Sequence, residues 1–386
     1  MIRYLMAAVL VCILVTAGCS SPQDPGTVDI VRALSSDGED ACFDRAKVPG
    51  IIKFPEDHGP HDTFKTEWWY YTGNLKTAEG RHFGYQLTFF RQALACETPS
   101  GTSAWRSSQL YFAHFAITDT RNRRFHPAQR MNRGSAGLAG ATPFHVWIDD
   151  WNASASSETG KRTVRLTARE RGGQAEKEKG SHGAGSNIAV DLSLIAEKTP
   201  IFQGDRGLSR KGPGNASYYY SFPGMVTKGF ITVGTETYAV SGRSWFDHEW
   251  STSALSADVT GWDWFAIHIH EGPLSGTDIM VCQVRNSEGL PNGYGFGSVS
   301  FAGGRFAILR ESQFSIRPEQ YWKSPETGRT YPAGWTIRLN EPRLSLDVTP
   351  VTDGQEHTRM FPYYEGAVRV VFPGGSGLGY VEMTGY

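Results

Sequence analysis

The sequence predicts an all-β protein built from two domains in tandem. Short segments alternate apolar and polar side chains with β-branched and aromatic members, as in Phe83–Arg91 (FGYQLTFFR), Gln109–Thr118 (QLYFAHFAIT) and Thr163–Arg169 (TVRLTAR). Gly, Asn and Pro separate them, 44 residues being Gly, and beyond the first eighteen residues no stretch sustains a helical apolar period. The chain has 386 residues, about twice a common domain length.

The amino terminus comes first. Arg3 precedes an apolar run from Leu5 to Val15 that ends in Thr16, Ala17, Gly18 and Cys19. This is an export signal, too short for a membrane span of about 20 residues. Cys19 followed by Ser20, Ser21 and Pro22 resembles the lipobox of bacterial lipoproteins, with Thr16 where Leu is usual. The expected mature protein is therefore exported and anchored to a membrane through acylated Cys19, with Ser20 favouring the outer membrane or a periplasm-facing surface. Residues 1–18 form the signal and 19–50 a tether and approach segment rich in Ser, Asp, Gly and Pro. Of the remaining cysteines, Cys42 and Cys96 are the favoured pair over Cys282, and export permits their disulfide.

A repeated hairpin supports the two domains. Trp69 precedes a turn at Gly80 and a strand ending at Arg91; Trp264 precedes a turn at Gly276 and a strand ending at Arg285. The two spacings are 22 and 21 residues. Phe222-Pro223-Gly224 interrupts the pattern, so the domains are expected over 51–225 and 226–386. The stretch Glu170–Asn187 is polar, charged and glycine-rich and reads as a solvated loop.

Charge narrows the function. Lys+Arg number 38 and Asp+Glu 39, which excludes a nucleic-acid-wrapping surface. Aromatic residues make up 12% and gather in two acid-containing clusters. In Thr66–Tyr71 (TEWWYY), strand alternation puts Glu67, Trp69 and Tyr71 on one face, able to line a cavity in which apolar surroundings keep Glu67 neutral, and leaves Trp68 and Tyr70 to the core. In Trp245–Ser253 (WFDHEWSTS) with Gly261–Phe265 (GWDWF), the candidates for catalysis are Asp247, His248, Glu249 and Asp263. Trp245, Trp250, Trp262 and Trp264 are their aromatic surroundings, suited to excluding water and shifting pKa values. On one strand Asp247 faces with Glu249, and His248 with Trp250.

No GxSxG, HExxH or P-loop pattern occurs, and no CxxC spacing suggests zinc. The pair His268 and His270 lacks a third ligand, and Asp57-His58 with His61-Asp62 reads as a loop. No metal or cofactor is expected.

The runs FPEDHGPHDTFKTEWWYYTGNL, FGYQLTFFR, HFAITD, QGDRGLSRKGPGNASYYYS, GRSWFDHEWSTS, GWDWF and GYVEMTGY occur in order from Phe54 to Tyr386. Together they resemble the AttH-type lipocalin-like family, related to carotenoid 1,2-hydratases and often described as secreted hydrolases. The resemblance implies two tandem lipocalin-like β-barrels and an elongated apolar ligand, a lipid or isoprenoid. It also implies hydratase-like acid-base chemistry in which Asp247 or Asp263 donates a proton and His248 holds water. A carrier without turnover and a glycan-binding surface protein are the rival readings.

Overall fold

The computed structural model describes residues 41–97, 100–156, 162–172, 187–253, 255, 258–359 and 361–386. The expected signal and Cys19 lie outside the described residues, as does most of the Glu170–Asn187 stretch. The described chain is all β apart from short 3₁₀ turns. Thirteen strands from Thr66 to Ser253 form one antiparallel sheet, and ten from Val259 to Met383 form a second. The first sheet curls until its Arg124–Arg133 edge meets the His145–Ile148 strand, and the second curls in the same manner, giving two barrel-like domains.

The change of sheet comes between Ser253 and Val259, later than the expected break at 225/226. Phe222-Pro223-Gly224 is instead a bulge inside the Asn215–Val233 strand, where the register shifts between Phe222 and Met225. The strand continues because Asn215–Val233 and Glu236–Ser253 form one long hairpin, whose second strand also pairs along all of Thr66–Lys76. A Pro and a Gly there mark a local irregularity, not the end of a domain.

Each barrel has its own core. Trp69, Tyr71, Phe89, Tyr220, Phe246 and Trp250 belong to the first, and Phe265, Trp335, Tyr364 and Val381 to the second. A third cluster lies between the barrels, where Tyr70, Tyr219 and Trp245 meet Trp264, Met280 and Tyr380. The seam is also hydrogen-bonded: Lys198 Nζ donates to Asp278 at 2.6 Å, Asn74 Nδ2 to Gly379 O at 2.9 Å, and Thr118 Oγ1 to Gln355 Oε1 at 2.9 Å.

Cys42 and Cys96 are joined, with Cα atoms 6.0 Å apart. The described end of the expected tether, residues 41–50, is therefore fastened to the first barrel, and Asp44 N also donates to Thr63 O at 2.9 Å.

Candidate functional site

The pleat divides the WFDHEW cluster. Trp245, Asp247 and Glu249 point toward the seam, whereas Phe246, His248 and Trp250 point into the first barrel. The same alternation divides its partners. Glu67, Trp69 and Tyr71 enter the first barrel, while Trp68 and Tyr70, expected as core, turn to the seam. In GWDWF, Trp262 and Trp264 reach the seam, and Asp263 turns away to Arg285 at 3.3 Å and Tyr386 at 2.8 Å.

Inside the first barrel Glu67 is 0% exposed and fully bonded. Its Oε1 meets His61 Nδ1 at 2.7 Å and His248 Nε2 at 2.8 Å. Its Oε2 accepts from Arg91 Nε at 2.8 Å and from the His61 amide at 3.0 Å. Outward from these, His61 Nε2 reaches Asp57 at 3.1 Å and His248 Nδ1 reaches the Tyr220 hydroxyl at 3.1 Å. The ring of His61 stacks on Trp250 at 3.7 Å, so the DHGPHD loop closes over the network. Burial works to raise the Glu67 carboxyl, but Arg91, His248 and His61 hold it well below the usual range. Glu67 is thus an ionised, paired acid and not the neutral one expected from its aromatic neighbours. The His61, Glu67 and His248 ligand atoms lie within 4.8 Å of one another. Their 2.7 and 2.8 Å spacings are hydrogen bonds, shorter than the roughly 3.3 Å between ligands that bind one ion at about 2.0–2.1 Å.

The seam holds a different arrangement. A cleft lies between the barrels, with about 740 Å³ of empty space when its open mouth is included. The first barrel contributes Trp68, Tyr70, Tyr219, Asp247 and the Lys211–Glu249 ion pair. The second contributes Trp262, Trp264, Phe296, Tyr363 and Glu382. Asp247 accepts from Trp245 Nε1 at 2.7 Å, from the Tyr219 hydroxyl at 2.7 Å and from Ser221 Oγ. Burial nevertheless pushes its carboxyl up to about 7. Burial likewise raises Glu382 to about 7, against the hydrogen bond from Trp262 Nε1 at 2.8 Å. Trp264 Nε1 donates to the Tyr219 hydroxyl at 3.2 Å, which connects the second barrel to Asp247. The Lys211 ammonium stands 5.7 Å from the Trp68 and Phe296 ring centres, so one cation already rests on these aromatic faces.

The AttH-like family model matches residues 45–386. The chain belongs to the AttH-like family. An AttH crystal structure from Nitrosomonas europaea is similar at 29% identity and a TM-score of 0.74, covering 88% of this chain and 100% of that one. A kievitone hydratase structure from Nectria haematococca shares the fold at 15% identity and a TM-score of 0.63, covering 89% and 98%. Among curated relatives, dehydratase asqC of Emericella nidulans is 26% identical over 181 residues, 45% of this chain and 49% of its own. Kievitone hydratase of Fusarium solani subsp. phaseoli is 23% identical over 198 residues, 47% and 51%. The chain spans about half the length of the curated relatives it matches. The AttH-like chain thus has relatives named for adding and removing water.

Of the expected acid, base and water-holding residues, only Asp247 and Glu249 meet the cleft. His248 and Asp263 are separated from it by the sheets that carry them. Sequence reasoning did not single out Lys211, Tyr219, Glu382 or, behind Glu382, Glu365. The two glutamates had a signal, since each is a lone acid in an otherwise apolar strand (YYEGAV and YVEM). A carboxylate is expensive to bury in such a place without a purpose.

Proposed function

We propose that this AttH-like protein is an exported, lipid-anchored hydratase or dehydratase that takes an elongated apolar ligand into the cleft between its barrels. The observation that carries the reading is a pair of buried carboxyls, Asp247 from one barrel and Glu382 from the other, both pushed up to about 7 within one aromatic cleft. A carboxyl near neutrality can give or take a proton at working pH, and such general acid catalysis contributes roughly 10² to 10⁴ in rate.

In hydration, a protonated carboxyl transfers its proton to one carbon of a double bond, and the π electrons form the new C–H bond. The neighbouring carbon becomes cationic, and aromatic faces stabilise it by roughly 0.5 to 2 kcal/mol each. A water oxygen then forms the C–O bond and loses its proton to the second carboxylate. Dehydration runs the same steps in reverse. The relatives named as hydratase and dehydratase support this class of chemistry, and the lipobox-like Cys19 supports the anchor.

Native mass spectrometry of protein purified from its own membranes, with extraction of the bound lipid, tests the reading. A co-purified ligand together with its hydrated or dehydrated form is expected, and an unchanged ligand alone would make the protein a carrier. On the substrate so found, Asp247→Asn and Glu382→Gln are each expected to lower kcat by about 10² to 10⁴; full turnover in both would end the mechanism. Metabolic labelling with a fatty-acid analogue is expected to mark the wild type and not Cys19→Ser, and an unlabelled wild type would remove the anchor.

A further inference from the structure

We propose that Glu365 and Glu382 act as one acid pair that keeps a proton at the floor of the cleft, with Glu382 the member that meets the ligand. Glu365 is a positioning residue. The inference rests on the cleft being the reacting site, and it divides the labour between the two carboxyls assigned there.

Glu365 and Glu382 are directly opposite on the antiparallel strands Tyr363–Phe372 and Gly375–Met383, so their side chains leave the sheet on the same face. Opposed residues have Cβ atoms about 4.5–5.5 Å apart. Glu382 lines the cleft beside Tyr363, while Glu365 is 0% exposed. The donors set toward the Glu365 carboxyl are the neutral hydroxyls of Tyr70 and Tyr363, and no Lys or Arg makes an ion pair with it among the described residues. The groups facing it are Tyr70 of the first barrel, Tyr363 on its own strand, and Tyr380 and Glu382 on the next. The Tyr363 hydroxyl also meets His114 Nδ1 at 2.8 Å. Glu382 in turn faces Trp262, Glu249 and Lys211. Lys211 is bound to Glu249, and no other basic side chain faces the pair among the described residues.

Two adjacent carboxyls without a cation cannot both ionise, and the proton they retain belongs to the pair. Asp247, raised by burial as Glu382 is, differs in its partners. Its oxygens accept three hydrogen bonds, an arrangement suited to the carboxylate. The division of roles follows. In the reacting state each carboxyl carries a proton: the Glu382 O–H bond breaks as the ligand C–H bond forms, and Glu365, which holds the proton the pair retains, donates a hydrogen bond to the new Glu382 carboxylate. Asp247 takes the proton lost by the attacking water and returns it to Glu382 through solvent after product leaves.

Infrared spectroscopy of the full chain with 13C-labelled glutamate tests the pair without a substrate. Near pH 9, where isolated glutamates are ionised, the wild type is expected to keep the carbonyl band of one protonated carboxyl, and Glu365→Gln to lose it. Absence of the band in the wild type, or its survival in a folded Glu365→Gln, would overturn the proposal. If Glu365→Gln lacks native near-UV circular dichroism, Glu382→Gln decides. A retained but displaced band supports the pair, because the acceptor of the Glu365 proton has changed, and an unmoved band refutes it. Failure of the cleft reading looks different: the infrared results hold while Asp247→Asn and Glu382→Gln leave turnover unchanged.

Discussion

Glu67 and Glu382 show two outcomes for a carboxyl taken out of water. Glu67 is given a guanidinium and two imidazoles and remains ionised; Glu382 is given one indole N–H and a second acid, and burial wins. Removing the guanidinium with Arg91→Met leaves the buried Glu67 charge to the two imidazoles alone. A loss of about 3–5 kcal/mol is expected in urea unfolding at neutral pH. The pH dependence of Glu382 has the opposite sign. Its folded pKa is raised from 4.5 to about 7, so the folded state holds more protons than the unfolded chain between those values. Stability from this group is present below about pH 4.5 and declines as pH rises through 7. Glu382→Gln is expected to flatten that decline, and unchanged urea midpoints across the interval would contradict the assignment. Neither environment is visible in the sequence, where Glu67 sits beside aromatics and Glu382 between Val381 and Met383.

At the scale of one strand, Glu236–Ser253 explains why adjacent residues have unrelated tasks. Pairing on both edges fixes its pleat along its length, so Asp247 reaches the seam and His248 the barrel interior. Alternation was legible in the sequence, including the grouping of Asp247 with Glu249 and of His248 with Trp250. His248→Ala is expected to cost about 1–3 kcal/mol in unfolding, through the bonds lost to Glu67 and Tyr220, and to leave turnover within a few-fold of wild type. Asp247→Asn should show the reverse pattern. If His248→Ala lost as much turnover as Asp247→Asn, the sheet would not be separating the two functions. The hairpin echo has a similar basis. Each barrel buries an acid–arginine pair at this place, Glu67 with Arg91 and Asp263 with Arg285. The matching residues are then Trp68 with Trp264, one position from the pairing first drawn, and both of these tryptophans face the seam.

The whole molecule depends on how closely the barrels approach. A Cβ on Gly84 would stand 2.7 Å from the Ala367 Cβ, and one on Gly224, whose φ is +55°, would stand 2.4 Å from an Asp278 carboxylate oxygen. Both glycines belong to the first barrel and both contacts to the second. Gly84→Val is therefore expected to separate the barrels, turning one calorimetric unfolding transition into two and abolishing ligand retention; a single unchanged transition would show that the seam tolerates the volume. The same scale bears on glycan binding. Among the eleven tryptophans only Trp105 is exposed, at 70%, so weak acrylamide quenching is expected, whereas efficient quenching would favour a surface platform.

By itself the sequence determined the all-β class, the two-domain plan and the alternation of faces, because apolar periodicity and turn residues act over a few neighbours. Only the tertiary structure decided which face of each strand is barrel interior and which is seam. That choice is set by the direction in which a whole sheet curls and by the pairing of strands far apart in the chain, such as Thr66–Lys76 with Glu236–Ser253. For the same reason Glu365 and Glu382 became a pair only when their hairpin was laid against Tyr70 and Trp262 of the cleft. Neighbours in the chain set the pleat, and neighbours in space set the charge state.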